Sequence, residues 1–159
     1  MAAASLVATA FGIVIIIITA YVLAGSTLAT SEVVTSAQKD MTDLQLRMLG
    51  TSIEIGEPPV NITSPLSLSL SNTGNEPIRD FGKMDIYLFF PGTGPVLYRY
   101  SSGGGDGWWT DGSSIGELYP AQWDPGEIMN ITITYSETST PLGIQVTTPN
   151  GVSARRVFS

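Results

Sequence analysis

An α+β fold, with a long apolar helix leading into an antiparallel β-sandwich, is predicted by three features of the 159-residue sequence. Residues 1–50 contain no proline and are interrupted only by Gly12, Gly25 and Gly50. From Thr51 onward the spacing of apolar residues changes from helical to alternating. Short clusters of glycine, proline, asparagine and serine then punctuate the chain, as turns between short strands do.

The helix opens with an apolar segment, Leu6 to Leu28, that includes FGIVIIIITAYVLAG at residues 11–25. It meets the length needed to cross a hydrocarbon core, about 20 residues. The helical pattern continues beyond it. Val34, Ala37, Met41, Leu44 and Met48 step by three, four, three and four residues and draw one apolar stripe. Gln38, Lys39, Asp40, Asp43 and Arg47 fill the other faces. A continuous helix over residues 1–50 would be roughly 75 Å long at about 1.5 Å per residue. Gly50 is expected to stop it, because glycine accepts the left-handed conformation found at helix ends.

Strands follow. Leu66 to Ser71 reads LSLSLS, with leucine on one face and serine on the other. TSIEI (51–55) opens the sheet; MDIYLFF (84–90), VLYRY (96–100), IMNITITY (128–135), GIQVTT (143–148) and SARRVF (153–158) complete it. SNTGN, FPGTGP, SSGGGDG, WDPGE and TTPNGV lie between them as turns. Pro149-Asn150-Gly151 is expected to form a tight hairpin joining the last two strands. Several short strands with regular turns indicate a sandwich or small barrel. The reading is therefore a helix over 1–50 and an Ig-like antiparallel β-sandwich head over 51–159.

Charge narrows the functions. The net charge is −7, with no basic run, which opposes nucleic-acid binding through phosphate contacts. Histidine and cysteine are absent, so disulfide frameworks and thiolate zinc sites are excluded. Met1 to Ser31 carries no charge, and Lys39 and Lys83 are the two lysines of the chain. An acidic surface rich in hydroxyl groups suits an extracellular location.

Three fates are open to the apolar start. A cleavable secretory signal needs a basic leader region and a shorter apolar core. A simple anchor is normally oriented by flanking lysine or arginine, and the nearest here is Lys39. A helix that packs among copies of itself fits better. Small residues such as Ala8, Ala10, Gly12, Ala20, Ala24 and Gly25 permit close approach, and the stripe from Val34 to Met48 asks for helical partners.

MAAASLVATAFGIVIIIITAYVLAG, running into SEVVTSAQKDMTDLQLRML and then a sandwich, resembles a mature archaellin, the filament subunit of the archaeal motility machine. The resemblance covers the whole architecture; sequence similarity is carried mainly by the helix. It implies a non-enzymatic structural subunit, held in the membrane before assembly and then part of a helical homopolymer on the cell surface. Phe11, Ile15, Ile18, Val22, Val34, Met41, Leu44 and Met48 would then form the polymerisation core. Ser5 stands where bacterial type IV pilins carry glutamate, a departure in keeping with the archaeal branch. If Met1 is the initiator, the chain resembles instead a membrane-held accessory archaellum subunit whose sandwich binds the surface-layer protein; an adhesion pilus subunit is the further alternative.

Asn61-Ile62-Thr63 and Asn130-Ile131-Thr132 are N-glycosylation acceptor patterns, so an N-linked glycan is expected. SSGGGDGWWTDGSS, with Trp123 near it, is read as covering the core or meeting a neighbouring subunit, with an exposed adhesive loop as the alternative. Asp106 and Asp111, with Ser113, are weak calcium candidates that do not follow the EF-hand order; no metal or other cofactor is expected. GTG at 92–94 and GGG at 103–105 lack the Lys-Ser/Thr ending of a phosphate loop. Glu117, Asp124 and Glu127 read as solvated acids, and no catalytic residue is assigned.

Overall fold

A computed structural model describes residues 2–101, 105–111 and 122–158, with side chains from Leu6 onward. The chain divides into two compact units, Met1–Asp43 and Leu44–Ser159. Helix α1 runs without interruption over Ala2–Gly50, so its last two turns belong to the second unit. The expected end at Gly50 is observed. The expected reason is not: Gly50 does not adopt a left-handed conformation, and it serves the junction described below.

Among the described residues ten strands follow: β1 (Ile53–Ile55), β2 (Leu66–Asn72), β3 (Ile78–Arg79), β4 (Asp85–Phe90), β5 (Gly94–Tyr98), β6 (Gly107–Trp109), β7 (Gln122–Trp123), β8 (Ile128–Thr134), β9 (Gly143–Thr147) and β10 (Ser153–Val157). They form two four-stranded antiparallel sheets, β1-β2-β8-β6 and β10-β9-β4-β5, with β3-β7 as a separate pair. The strand after FPGTGP starts at Gly94 rather than Val96, because Gly94 already pairs with Phe90. Trp108 and Trp109 lie outside the strands expected from the sequence and form part of β6.

Alternation sets the inner faces. Leu66, Leu68 and Leu70 of β2 and Met129, Ile131 and Ile133 of β8 are buried from one sheet. Ile86, Leu88 and Phe90 of β4 and Ile144 and Val146 of β9 meet them from the other, in one continuous core. Each such side chain contributes about 1.5–3 kcal/mol of transfer free energy. Trp108 and Trp123 are fully buried, and their indole N–H groups donate to the carbonyls of Met84 (3.2 Å) and Glu127 (3.0 Å). The hairpin at Pro149-Asn150-Gly151 forms as expected, with Gly151 at φ 88° and its N–H donating to the Thr148 carbonyl.

Contacts link the two sheets at both flanks of the sandwich. On one side Arg156 of β10 donates across to the Ile55 carbonyl of β1 at 2.6 Å. On the other, the chain leaving β5 pairs with β6. Trp108 N–H donates to the Arg99 carbonyl and Ser101 N–H to the Trp108 carbonyl, and Tyr100 packs edge-on against Trp108 with ring centres 5.0 Å apart. Edge strands on both flanks are thus tied to the opposite sheet, one way of blunting an edge.

Candidate functional site

The described residues of the first unit are all helical, and from Leu6 onward each is exposed apart from partly covered Gly12. The helix is long and apolar enough to cross a membrane. Phe11, Ile15, Ile18 and Val22 stand in solvent, as do Val34 and Met41 further along. Leucine and isoleucine side chains left in water at this density need another cover, either lipid or protein.

The helix is prepared for an apolar surrounding in a second way. Hydroxyl groups along it donate back to carbonyls of the preceding turn: Thr19 to Ile15 (2.7 Å), Ser26 to Leu23 (3.0 Å), Thr27 to Leu23 (2.8 Å) and Thr30 to Ser26 (2.8 Å). Thr35 and Thr42 repeat the pattern with Ser31 and Gln38. A hydroxyl buried without a partner costs about 1–3 kcal/mol by protein mutational measures. These groups keep their partner in lipid, in water or against a neighbouring helix.

Leu44 and Met48, the lower end of the stripe, lie in the second unit and are both less exposed than Met41. Leu44 lines a cavity of about 320 Å³ together with Arg47, Pro77, Ile78 and Pro149. The helix terminus beside it is held by loop 73–76. The Gly50 carbonyl, left over at the helix end, accepts from Asn75 N–H (2.8 Å) and Glu76 N–H (3.2 Å). Thr51 donates its hydroxyl to the Arg47 carbonyl at 2.7 Å and accepts from the Asn150 amide at 2.7 Å. A Cβ on Gly74 would come within 2.5 Å of the Gly50 carbonyl oxygen, so the loop closes on the helix end only because Gly74 has no side chain. Fully buried Asn72 supports the loop from beneath, donating to Glu76 and Trp123 carbonyls and accepting from Gly74 N–H.

Both acceptor asparagines are exposed, Asn61 in the loop before β2 and Asn130 on the outer face of β8. Asp106 accepts from the Ser136 hydroxyl at 2.6 Å, and among the described residues no group of three or more carboxylates gathers. Asp124 and Glu127 stitch a turn, the Asp124 N–H donating to Glu127 Oε2 at 2.9 Å. Ser113, Glu117 and most of GGG at 103–105 lie outside the described residues.

A model of the archaeal-type flagellin family matches residues 3–158. The chain belongs to that family. It is a structural subunit of the archaellum, the archaeal swimming filament, and accordingly a cell-surface or membrane-associated protein. The family is a structural one and not an enzyme family. No curated protein matches the chain. Among solved structures it is similar to the archaellum periplasmic stator protein FlaG from Sulfolobus acidocaldarius, at TM-score 0.52 and 24% identity over 68% of this chain and 99% of that one. It is also similar to the stator complex of FlaF and FlaG from the same organism, at TM-score 0.52 and 22% identity over 67% and 87%. At these identities the likeness is one of fold.

For this archaeal-type flagellin the sequence pointed to the exposed helix but not to the clasp at its end. NTGN reads only as a turn. Its use as a helix cap depends on Asn72 being buried beneath the loop and on Gly50 and Gly74 meeting, contacts between residues about two dozen positions apart. The one local signal was an asparagine two residues before a glycine, the pattern of a side chain that closes its own turn.

Proposed function

We propose that this archaeal-type flagellin polymerises with copies of itself through its N-terminal helix, giving an extracellular filament with helices in the core and sandwiches outside. One observation carries the reading: a 49-residue helix with its apolar side chains exposed and its hydroxyls paired within the helix. Before assembly, lipid covers the apolar part; afterwards neighbouring helices do. Burying one large apolar side chain is worth about 1.5–3 kcal/mol relative to water. Only a fraction of that total becomes association energy, since ordering and lost freedom oppose it. Copies related by a helical operator meet head to tail, so the contacts propagate without closing. The polar outer surface of the head stays in water.

Electron microscopy of sheared surface fibres, with mass spectrometry of the subunit, tests the proposal. Fibres composed mainly of this chain are expected. Gene deletion is expected to abolish swimming and to leave attachment intact. A second reading is suggested by the similar folds of the stator proteins: a membrane-held accessory subunit whose sandwich binds another surface protein. It predicts a monomer or dimer in detergent and no fibres containing this chain.

A further inference from the structure

The outer faces of the two sheets differ in chemistry. On sheet β1-β2-β8-β6, the outward positions of β2 are Ser67, Ser69 and Ser71, three small hydroxyl residues in a row. Asn130 lies opposite Ser69 and Thr132 opposite Ser67 in register. Strand alternation thus puts the asparagine and threonine of one acceptor pattern on a single exposed face, with Ile131 turned into the core. On the other flank of β8, Trp109 pairs with Thr132, which makes it the diagonal cross-strand neighbour of Asn130. Such diagonal positions lie about 7–8 Å apart, within reach of a large aromatic side chain. Trp109 is 43% exposed, whereas Trp108 and Trp123 are fully buried. Within the β-strand pattern it is the indole that the core does not use.

We propose that Asn130 carries an N-linked glycan whose first sugar ring lies on the indole of Trp109, over a floor of serine hydroxyls. The proposal rests on the extracellular placement of the head given above. In the transfer, Asn130 Nδ2 forms a bond to the anomeric carbon of a saccharide esterified to a lipid phosphate. The carbon–oxygen bond to the phosphate breaks, the lipid phosphate leaves with the electron pair, and Nδ2 loses one proton to the transferase. The apolar face of a pyranose, with its axial C–H groups, covers an aromatic ring, while its hydroxyls find partners among the serines. Small side chains on β2 leave that space open. Asn61 is different: it sits in an irregular loop, and no exposed aromatic is paired with it in a sheet. A sugar there would extend into solvent.

The test uses the full-length chain from its own host, dispersed in detergent so that neighbouring subunits do not cover the head. Peptide mass spectrometry of residues 128–134 should show a saccharide on Asn130. Acrylamide quenching of tryptophan fluorescence then reads Trp109, because the other two indoles are buried. The readily quenched component should be missing in the glycosylated chain and appear in Asn130→Gln. It should also appear in Thr132→Val, which keeps the asparagine and removes the acceptor hydroxyl. Trp109→Phe should abolish the difference between modified and unmodified chains, and Asn61→Gln should leave the quenching unchanged. Unmodified Asn130, or a glycosylated chain with Trp109 as quenchable as in Asn130→Gln, overturns the proposal. Both readouts come from dispersed subunits, so a failure to form fibres would count against polymerisation alone.

Discussion

Replacing Val34 by aspartate separates folding from assembly. Val34 is 49% exposed in the subunit, so the change removes little buried surface from the isolated chain. It lies beyond the uncharged segment and two residues after Glu32, so it adds no charge to the part that lipid must accept. In the proposed helical core the same position would be covered. Losing the valine forfeits up to about 1.5–3 kcal/mol, and an unpaired carboxylate there costs several kcal/mol more. A loss above about 4 kcal/mol per subunit moves an association equilibrium by about a thousandfold. Ser36→Asp is the matched control: two residues on, about 200° around the helix, it adds the same charge on a face that already carries polar groups. The assay is the yield of sheared fibres, with thermal melting of the detergent-dispersed chain alongside. Val34→Asp should melt normally and yield no fibres, whereas Ser36→Asp should yield both. Normal fibre yield from Val34→Asp would refute burial of the stripe.

Three further outcomes follow from the head. Trp108→Ala removes a fully buried indole and its bond to the Met84 carbonyl, and should destabilise the head by about 3–5 kcal/mol in denaturant titration. Gly74→Ala should cost more than Gly50→Ala: the new methyl meets backbone at 2.5 Å in the first case and the Glu76 side chain at 2.6 Å in the second, which can swing aside. Burial and the hydrogen bond to Glu137 push the Tyr98 hydroxyl well above the usual value of 10. The folded chain therefore holds this proton after an unfolded one releases it. Its contribution is complete below pH 10 and falls as pH rises beyond it, so melting temperatures should drop above about pH 10, less steeply in Tyr98→Phe.

How far the fold was legible depended on the range of the signal. LSLSLS, IMNITIT and the PNG turn are local patterns, and the alternation of leucine with serine placed inner and outer faces correctly. The two-residue strands β3 and β7 carry no such pattern; each exists because the other lies beside it. The tryptophan pair was hidden by its glycine-rich surroundings. Only the register with β8 decides that Trp108 goes inward and Trp109 outward. On the helix, the exposed stripe was plain from spacing. Gly50 was read through its backbone freedom, although its use is to leave room for the Glu76 side chain.

The contacts at the flanks of the head have a consequence for crowding. In the proposed fibre many identical heads would lie side by side, at a local density where open strand edges tend to pair with one another. Arg156 ties one flank and the Tyr100–Trp108 contact the other, so an incoming edge would have to compete with them. In such a fibre the spacing between heads would be left for the helices to dictate.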